Sequence, residues 1–395
     1  MLLRFHRDWE GKFALLRASE ENVPKWHRSK KYGRGKFVPG LKLSELYYDR
    51  VVAPIVEKKF PHLKYSAALL GSGSEVLGYD TEQSMDHNWG PRLFLFLSDE
   101  DLRSYKSKID RELRKSLPTT FMGHPTSFGE PDENGARLLD FTKRKSGDVN
   151  HYIIMTTIRS FFEEILGVDL SEKIENLTWL ALPQQRLLEI TSGKIFRDDI
   201  RLKAAVDRFR YYPRDIWLYL MAAQWSKISQ EEAFVGRASS VGDEAGSRII
   251  ASRIAKELME LCFLMEKKYT PYSKWLGRAF SRLEISTELR PVIEKVLESG
   301  SIDIREKWLS EAYRVVAQRH NSLKITREIP TKVSRYYNRP YPVIHADRFA
   351  GEIRKKIRDE RIRRLLLIGS VDQITENPLL LNDRDKLKQI RILYR

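Results

Sequence analysis

At 395 residues, with 42% hydrophobic and 11% aromatic content, the chain is long enough for two domains with real cores and is not a disordered tail. No apolar run approaches the roughly 20 residues that cross a bilayer, the N-terminus lacks a signal peptide's apolar stretch, and Cys262, the single cysteine, permits no intramolecular disulfide. These features predict a cytoplasmic protein without a membrane partner. The net charge of +16 is concentrated at the ends: residues 1–40 hold ten Lys/Arg against four Asp/Glu (+6), and residues 341–395 thirteen against eight (+5). Such ends either attract RNA or another polyanion, or are solvated helix surface.

In chain order, residues 1–22 carry apolar points (Leu3, Phe5, Trp9, Phe13, Leu16) that predict a short amphipathic helix, and 23–40 form a basic loop rich in Pro and Gly. A helix is predicted near 41–59, stopping before Pro61. The buried run Tyr65–Leu70 then breaks at a Gly/Ser cluster, and Arg92–Leu97 reads as a strand covered on both faces. A charged helix follows over 99–116, with further strands at Thr119–Phe128 and His151–Ile158. Beyond 171 the pattern is helical: Trp179–Ser192, Ile200–Arg208, Arg214–Glu232, Gly242–Lys268, Lys274–Leu283, Leu289–Ser299 and Ile304–His320. The stripe Ile216, Leu220, Ala223 and Ile228 marks a bundle core. A Pro/Tyr-rich linker at 334–342 leads to a basic helix near 346–364. The expected class is α+β: a small mixed-sheet domain, then a helical bundle. The predicted division is 1–44 basic extension, 45–170 α/β domain, 171–333 bundle, and 334–395 linker with a basic C-terminal segment.

Chemistry concentrates between Leu70 and Arg92. Gly71-Ser72-Gly73-Ser74 follows a buried strand, and glycines there let the backbone approach a polyanion while successive N–H groups cradle phosphate. A carboxylate at the start of the next strand, Asp86, faces the same phosphates and suits Mg²⁺. Phosphoryl and nucleotidyl transfer depend mainly on such positioning. By itself a Gly-Ser cluster is also an ordinary tight turn.

The order Gly73-Ser74, Gly78, Ser84, Asp86, leading into an apolar strand, resembles the DNA polymerase β-like nucleotidyltransferase superfamily. The helical part is similar to the second domain of kanamycin-nucleotidyltransferase-like enzymes. From Phe37 to Asp372 the chain looks like an uncharacterised bacterial family of nucleotidyltransferase-like proteins. That likeness rests on Phe37–Leu41, Gly71–Arg92, Tyr212–Leu218, Pro271–Gly277, Arg319–Asn321 and Ile368–Gln373. The resemblance implies an NTP substrate, Mg²⁺ or Mn²⁺, and a metal pair at Asp86 and Asn88. Asn88 stands where the superfamily has a second Asp and brings no charge. The third carboxylate belongs on a neighbouring strand, yet 151–158 contains no acid; Asp140 or Asp148 serve only if that strand is misplaced, and Asp80 or Glu75 are nearby substitutes.

In kanamycin-nucleotidyltransferase-like enzymes a bundle Glu is the base on the acceptor hydroxyl, which here points to Glu231 or Glu232; the plainer reading of both is helix-terminal charge. Tyr272 and Lys274 suit phosphate or base contacts, or an exposed turn over a buried Trp275. Arg92 either touches phosphate or forms an edge salt bridge. His87, between Asp86 and Asn88, should point away from both on a strand, and no histidine spacing suggests zinc. The leading expectation is a Mg²⁺-dependent transfer of NMP from NTP to a hydroxyl of a small molecule, RNA or protein. The alternative is a nucleotidyltransferase fold that has lost catalysis and binds nucleotide or RNA.

Overall fold

The computed structural model describes residues 36–133, 135–142 and 147–394, and leaves the side chain of Asp86 outside that set. The helix expected over 1–22 and most of the basic loop after it lie outside the described residues. The architecture is α+β, a small mixed sheet followed by a largely helical region.

The first helix runs as α1 (Gly40–Tyr47), a π-turn over Tyr48–Val52, and α2 (Ala53–Lys59). Pro54 has no N–H and its ring crowds the preceding turn, which the wider turn relieves. After β1 (Ser66–Leu69) come a 3₁₀ turn (Glu82–Asp86), β2 (Arg92–Phe96) and α3 (Asp99–Ser116). Ser98 caps α3 by accepting the Asp101 N–H, with acids in its first turn and Arg114 and Lys115 in its last. The strand expected over 119–128 is instead a hairpin of two-residue strands, β3 (Thr120–Phe121) and β4 (His124–Pro125), reversed at Met122 (φ 48°) and Gly123 (φ 81°). Then follow β5 (Tyr152–Thr156), α4 (Ile158–Leu166), α5 (Asn176–Leu180), α6 (Gln184–Thr191) and β6 (Lys194–Asp198).

The main sheet has the order β5-β2-β1-β6, parallel between β2 and β5 and antiparallel elsewhere. Side chains alternate across it. Ala67, Leu93, Leu95, Ile153 and Met155 pack under α1–α3, whereas Ala68, Phe94 and Phe96 face α4 and the helical region. That second core continues without a break into the bundle, so the sheet and the helices share it. Strand β6 falls in the gap between two stretches read as helical and was not expected, because Lys-Ile-Phe-Arg-Asp is too short and charged to show a period. Gly193 lets it approach: a Cβ there would lie 2.0 Å from the Leu69 carbonyl oxygen.

The helices are α7 (Leu202–Asp207), α8 (Arg214–Glu231), α9 (Phe234–Ser239), α10 (Glu244–Met265), α11 (Ser273–Phe280), α12 (Ser286–Glu298) and α13 (Ile302–Ser322). Helix α8 is buried on all sides from Ile216 to Trp225, beyond the single stripe expected, because α10 and α14 both pack on it. The Pro/Tyr-rich linker is a hairpin, β7 (Ser334–Tyr336) and β8 (Arg339–Val343). One basic helix over 346–364 becomes α14 (Ala346–Arg354) and α15 (Glu360–Arg364). The break is set by Asp215, whose carboxylate accepts the N–H groups of Arg358 and Asp359, while Asp359 caps α15. Helices α16 (Val371–Ile374), α17 (Pro378–Leu381) and α18 (Arg384–Ile390), with a 3₁₀ turn over Arg391–Tyr394, complete the described chain. No helix among the described residues is long and apolar enough to cross a membrane.

Candidate functional site

Beyond β1 the backbone turns at Gly71 (φ 88°), whose N–H donates to the Glu189 carbonyl of α6 at 2.8 Å. Gly71 is therefore an anchor. Ser72, Gly73 and Ser74 line a cleft of about 710 Å³ between the sheet and the bundle. Their three N–H groups meet no acceptor among the described residues. Beneath it, Arg92 Nε donates to Glu75 Oε1 at 2.8 Å, and Nη2 donates to the Ser72 carbonyl at 2.7 Å and to the same carboxylate. These side chains are only 6% and 3% exposed. Arg92 thus supports the loop from behind and does not line the cleft.

The opposite wall is α11 and the turn before it, which place Tyr272, Lys274 and Trp275 in the cleft. Lys274 lies over the Trp275 ring at 4.9 Å, and Trp275 stacks on Tyr79 at 5.2 Å. Further along, Arg278 donates to the Tyr79 carbonyl (2.8 Å) and Arg282 to that of Gly78 (2.6 Å). The bundle therefore grips the turn that closes the Gly-Ser loop. Gln184 and Gln185 of α6 accept the N–H groups of Thr270 and Tyr272, which fixes the 270–272 turn.

The cleft floor holds Asp372. Ser370 and Gln373 form a capping box at the start of α16, and the Asp372 carboxylate accepts the Gln184 N–H at 3.1 and 3.2 Å. Among the described residues it has no Lys or Arg partner, unlike Glu189, paired with Arg186, and Glu260, paired with Lys256. Burial pushes the Asp372 carboxyl up to about 7, opposed by the Gln184 N–H and reinforced by the nearby Glu260 charge. Gln184 and Glu189 are five residues apart on α6, about 7.5 Å along its axis. Asp372 and Gly71, bound at those two positions, are set that far apart by one short helix.

The expected metal residues divide. Asp86 ends the 3₁₀ turn, and its side chain is outside the described set. Asn88 lines the cleft with φ 48°, but its Oδ1 accepts the Arg137 N–H (2.9 Å) and the Tyr152 hydroxyl (3.5 Å). Asp80 accepts Gly40 N–H and Trp89 Nε1–H, and Glu75 holds Arg92, so neither substitutes as a ligand. Tyr152, paired in register with Arg92, begins the strand where the third carboxylate was expected. Asp140 closes its own turn onto Thr142, and neither it nor Asp148 lines the cleft. No group of three His, Cys, Asp or Glu among the described residues is placed to hold a metal ion. His87, read as turned away, lines the cleft, because the backbone there leaves a 3₁₀ turn and strand alternation does not apply.

Glu231 and Glu232 are not in the cleft. Glu231 pairs with Arg253, and buried Glu232 accepts the N–H groups of Ile344, His345 and Ala346 at 2.8, 3.1 and 3.1 Å. Burial pushes Glu232 up to about 7 against those three donors. Leu220 lines the cleft, and Glu232 lies twelve residues further on, about 18 Å along α8. Both acids tie the end of the bundle together.

Comparison with known proteins gives two findings. The profile of a family described as "Domain of unknown function (DUF4037)" matches residues 179–276, from α5 to α11. A crystal structure of a nucleotidyltransferase-like protein from Exiguobacterium sibiricum 255-15 is similar over 75% of this chain and 82% of its own, at 10% identity and a TM-score of 0.28. No curated protein matches. At that identity and score the chemistry has to be read from the cleft itself. Of the residues singled out from sequence, Ser72–Ser74, Tyr272 and Lys274 line the cleft, and Asp372, Gln184 and Arg186 line it without having been singled out. The one available signal for Asp372 was the Ser-x-x-Gln capping box inside the Ile368–Gln373 run.

Proposed function

We propose that this chain binds a nucleoside triphosphate along Ser72–Ser74 and Lys274 and transfers its NMP to a hydroxyl seated beside Asp372. The observation that carries the reading is the row of three unpaired N–H groups lining a cleft that also holds Lys274 and Arg186. Such donors suit phosphate oxygens, and the lysine adds point charge. In the transfer, the acceptor oxygen bonds to the α-phosphorus, the bond to the bridging oxygen breaks, and pyrophosphate leaves. The acceptor proton passes to Asp372, whose environment suits a base working near neutrality. Mg²⁺ or Mn²⁺ enters no step here.

The test combines calorimetric titration of NTPs with transfer of α-phosphate label from NTP to components of a cell extract. Wild type should bind NTP and pass on label with a rate that rises as pH passes through about 7. Asp372→Asn should bind NTP equally and transfer none. Failure of wild type to bind any NTP sinks the reading. Binding without label transfer favours the second reading, a nucleotide-binding protein without turnover, which the engagement of Asn88 by Arg137 and Tyr152 supports.

A further inference from the structure

We infer that the β7–β8 hairpin and the turn between α14 and α15 form a track for a single-stranded nucleic acid leading to the cleft floor. This goes beyond nucleotide binding and does not depend on it. Residues 332–364 hold eleven Lys/Arg against four Asp/Glu, a net of +7 out of the chain's +16. Of the acids, Glu352 pairs with Arg327 and Lys355, and Glu360 with Arg363 and Arg364. Arg335, Arg339, Lys356, Arg358 and Arg361 remain exposed with no acid partner among the described residues. A solvated helix face would carry such charge too, so the aromatic component matters. Tyr337 is 81% exposed at the hairpin tip and meets Tyr336 edge-on at 4.8 Å.

Tyr337 has a φ of 53°. With Tyr336 paired to Arg339, residues 337 and 338 form a two-residue turn whose first position favours Asn, Asp or Gly. A bulky aromatic held at positive φ and in water is costly on both counts. Alternating cations and an exposed ring are what single-stranded nucleic acid requires: backbone neutralisation plus a face on which a base stacks.

Both parts of the track are fixed to α8. Glu232 binds the N–H groups of residues 344–346 at the foot of the hairpin, and Asp215 binds those of Arg358 and Asp359 at the basic turn. Between them α14, nine residues long, spans about 13 Å. Past the arginines the chain runs straight to the cleft. The Leu366 carbonyl accepts the Tyr219 hydroxyl (2.7 Å), and Gln373 donates to the Leu220 carbonyl next along α8 (3.1 Å). Leu220 and Gln373 both line the cleft.

The test is fluorescence anisotropy of the full chain with single-stranded RNA and DNA oligonucleotides over a salt series. NTP titration and thermal melting of each variant run alongside. With six phosphates neutralised, affinity should fall about 300-fold between about 50 and about 200 mM salt, and K356E/R358E/R361E should reduce that fall to about 20-fold. Tyr337→Ala should weaken binding about tenfold through lost stacking. All variants should melt as wild type and keep NTP binding. The relative strength of the RNA and DNA arms identifies which strand is held. The inference is overturned if wild type binds neither oligonucleotide, if the triple variant binds as wild type does, or if anionic lipid vesicles are bound in preference to both strands. An unaltered Tyr337→Ala removes the hairpin from the track.

Discussion

Arg92→Met and Glu75→Gln, made singly and together, decide whether Arg92 supports the Gly-Ser loop or contacts phosphate. The pair is buried, at 6% and 3% exposure, and Arg92 also holds the Ser72 carbonyl. Removing either partner leaves the other's charge unpaired out of water, which costs about 3–5 kcal/mol. The double variant buries no unpaired charge, so its cost should fall short of the summed single costs by about 2–3 kcal/mol. Urea denaturation gives the three stability changes, and NTP titration gives the three affinities. A support role predicts that both single variants weaken NTP binding, because Ser72–Ser74 lose the scaffold beneath them. A phosphate-contact role predicts the opposite for Glu75→Gln, which would free Arg92 to meet the ligand. Additive stability costs, or tighter NTP binding by Glu75→Gln, would refute the geometry.

Gly193→Ala should cost about 3 kcal/mol or more, because its Cβ would sit 2.0 Å from the Leu69 carbonyl oxygen and β6 would have to leave the sheet; a urea midpoint near wild type would show that the strand can shift freely. Asn88→Asp keeps the acceptor used by Arg137 and a residue tolerant of positive φ, so stability should change by less than about 1 kcal/mol. It also restores a second carboxylate two residues after Asp86, and NTP affinity measured with Mg²⁺ against EDTA should become metal-dependent by about tenfold; identical behaviour of variant and wild type counts against that site. Asp372 is raised from 3.8 to about 7, so its ionisation destabilises the fold: it favours the folded state below about 4, and that contribution is lost as pH rises through about 7. Asp372→Asn lacks this loss, and its stability relative to wild type should improve between about pH 4 and about pH 7. No pH dependence in that difference would mean the carboxyl is not desolvated.

Much of the fold was legible wherever a hydrophobic period ran long enough. Strands β1, β2 and β5, helix α3 and the long helices α8, α10 and α13 lie close to where spacing put them. Strand β6 and the β7–β8 hairpin were not legible, for a shared reason. Both are short and charged, and each is fixed by a partner far away in sequence: Ser66 pairs with Asp198 of β6, and Glu232 binds the backbone at the foot of the hairpin. The candidate site shows the same division. Consecutive glycines and serines announce a loop with free donors. Asp372 reaches that loop's cleft only because α6 bridges two points about 300 residues apart, and no local pattern encodes this.

The stretches that made the sequence resemble a family separate into packing and chemistry. Phe37–Leu41 lies outside the cleft: the Gly40 N–H donates to Asp80, and a Cβ at Gly40 would lie 2.6 Å from Trp89 Nε1. Tyr212 and Trp217 are buried, and Asp215 pins the α14–α15 turn. His320 packs edge-on against Trp225 and Phe349. Only three of the six stretches, Gly71–Arg92, Pro271–Gly277 and Ile368–Gln373, supply residues to the cleft. Those three come from the sheet, the bundle and the C-terminal segment in turn. The cleft is therefore complete only when all three are docked, and a chain ending before Gly369 should keep its Gly-Ser loop yet lose Asp372 and with it the acceptor side.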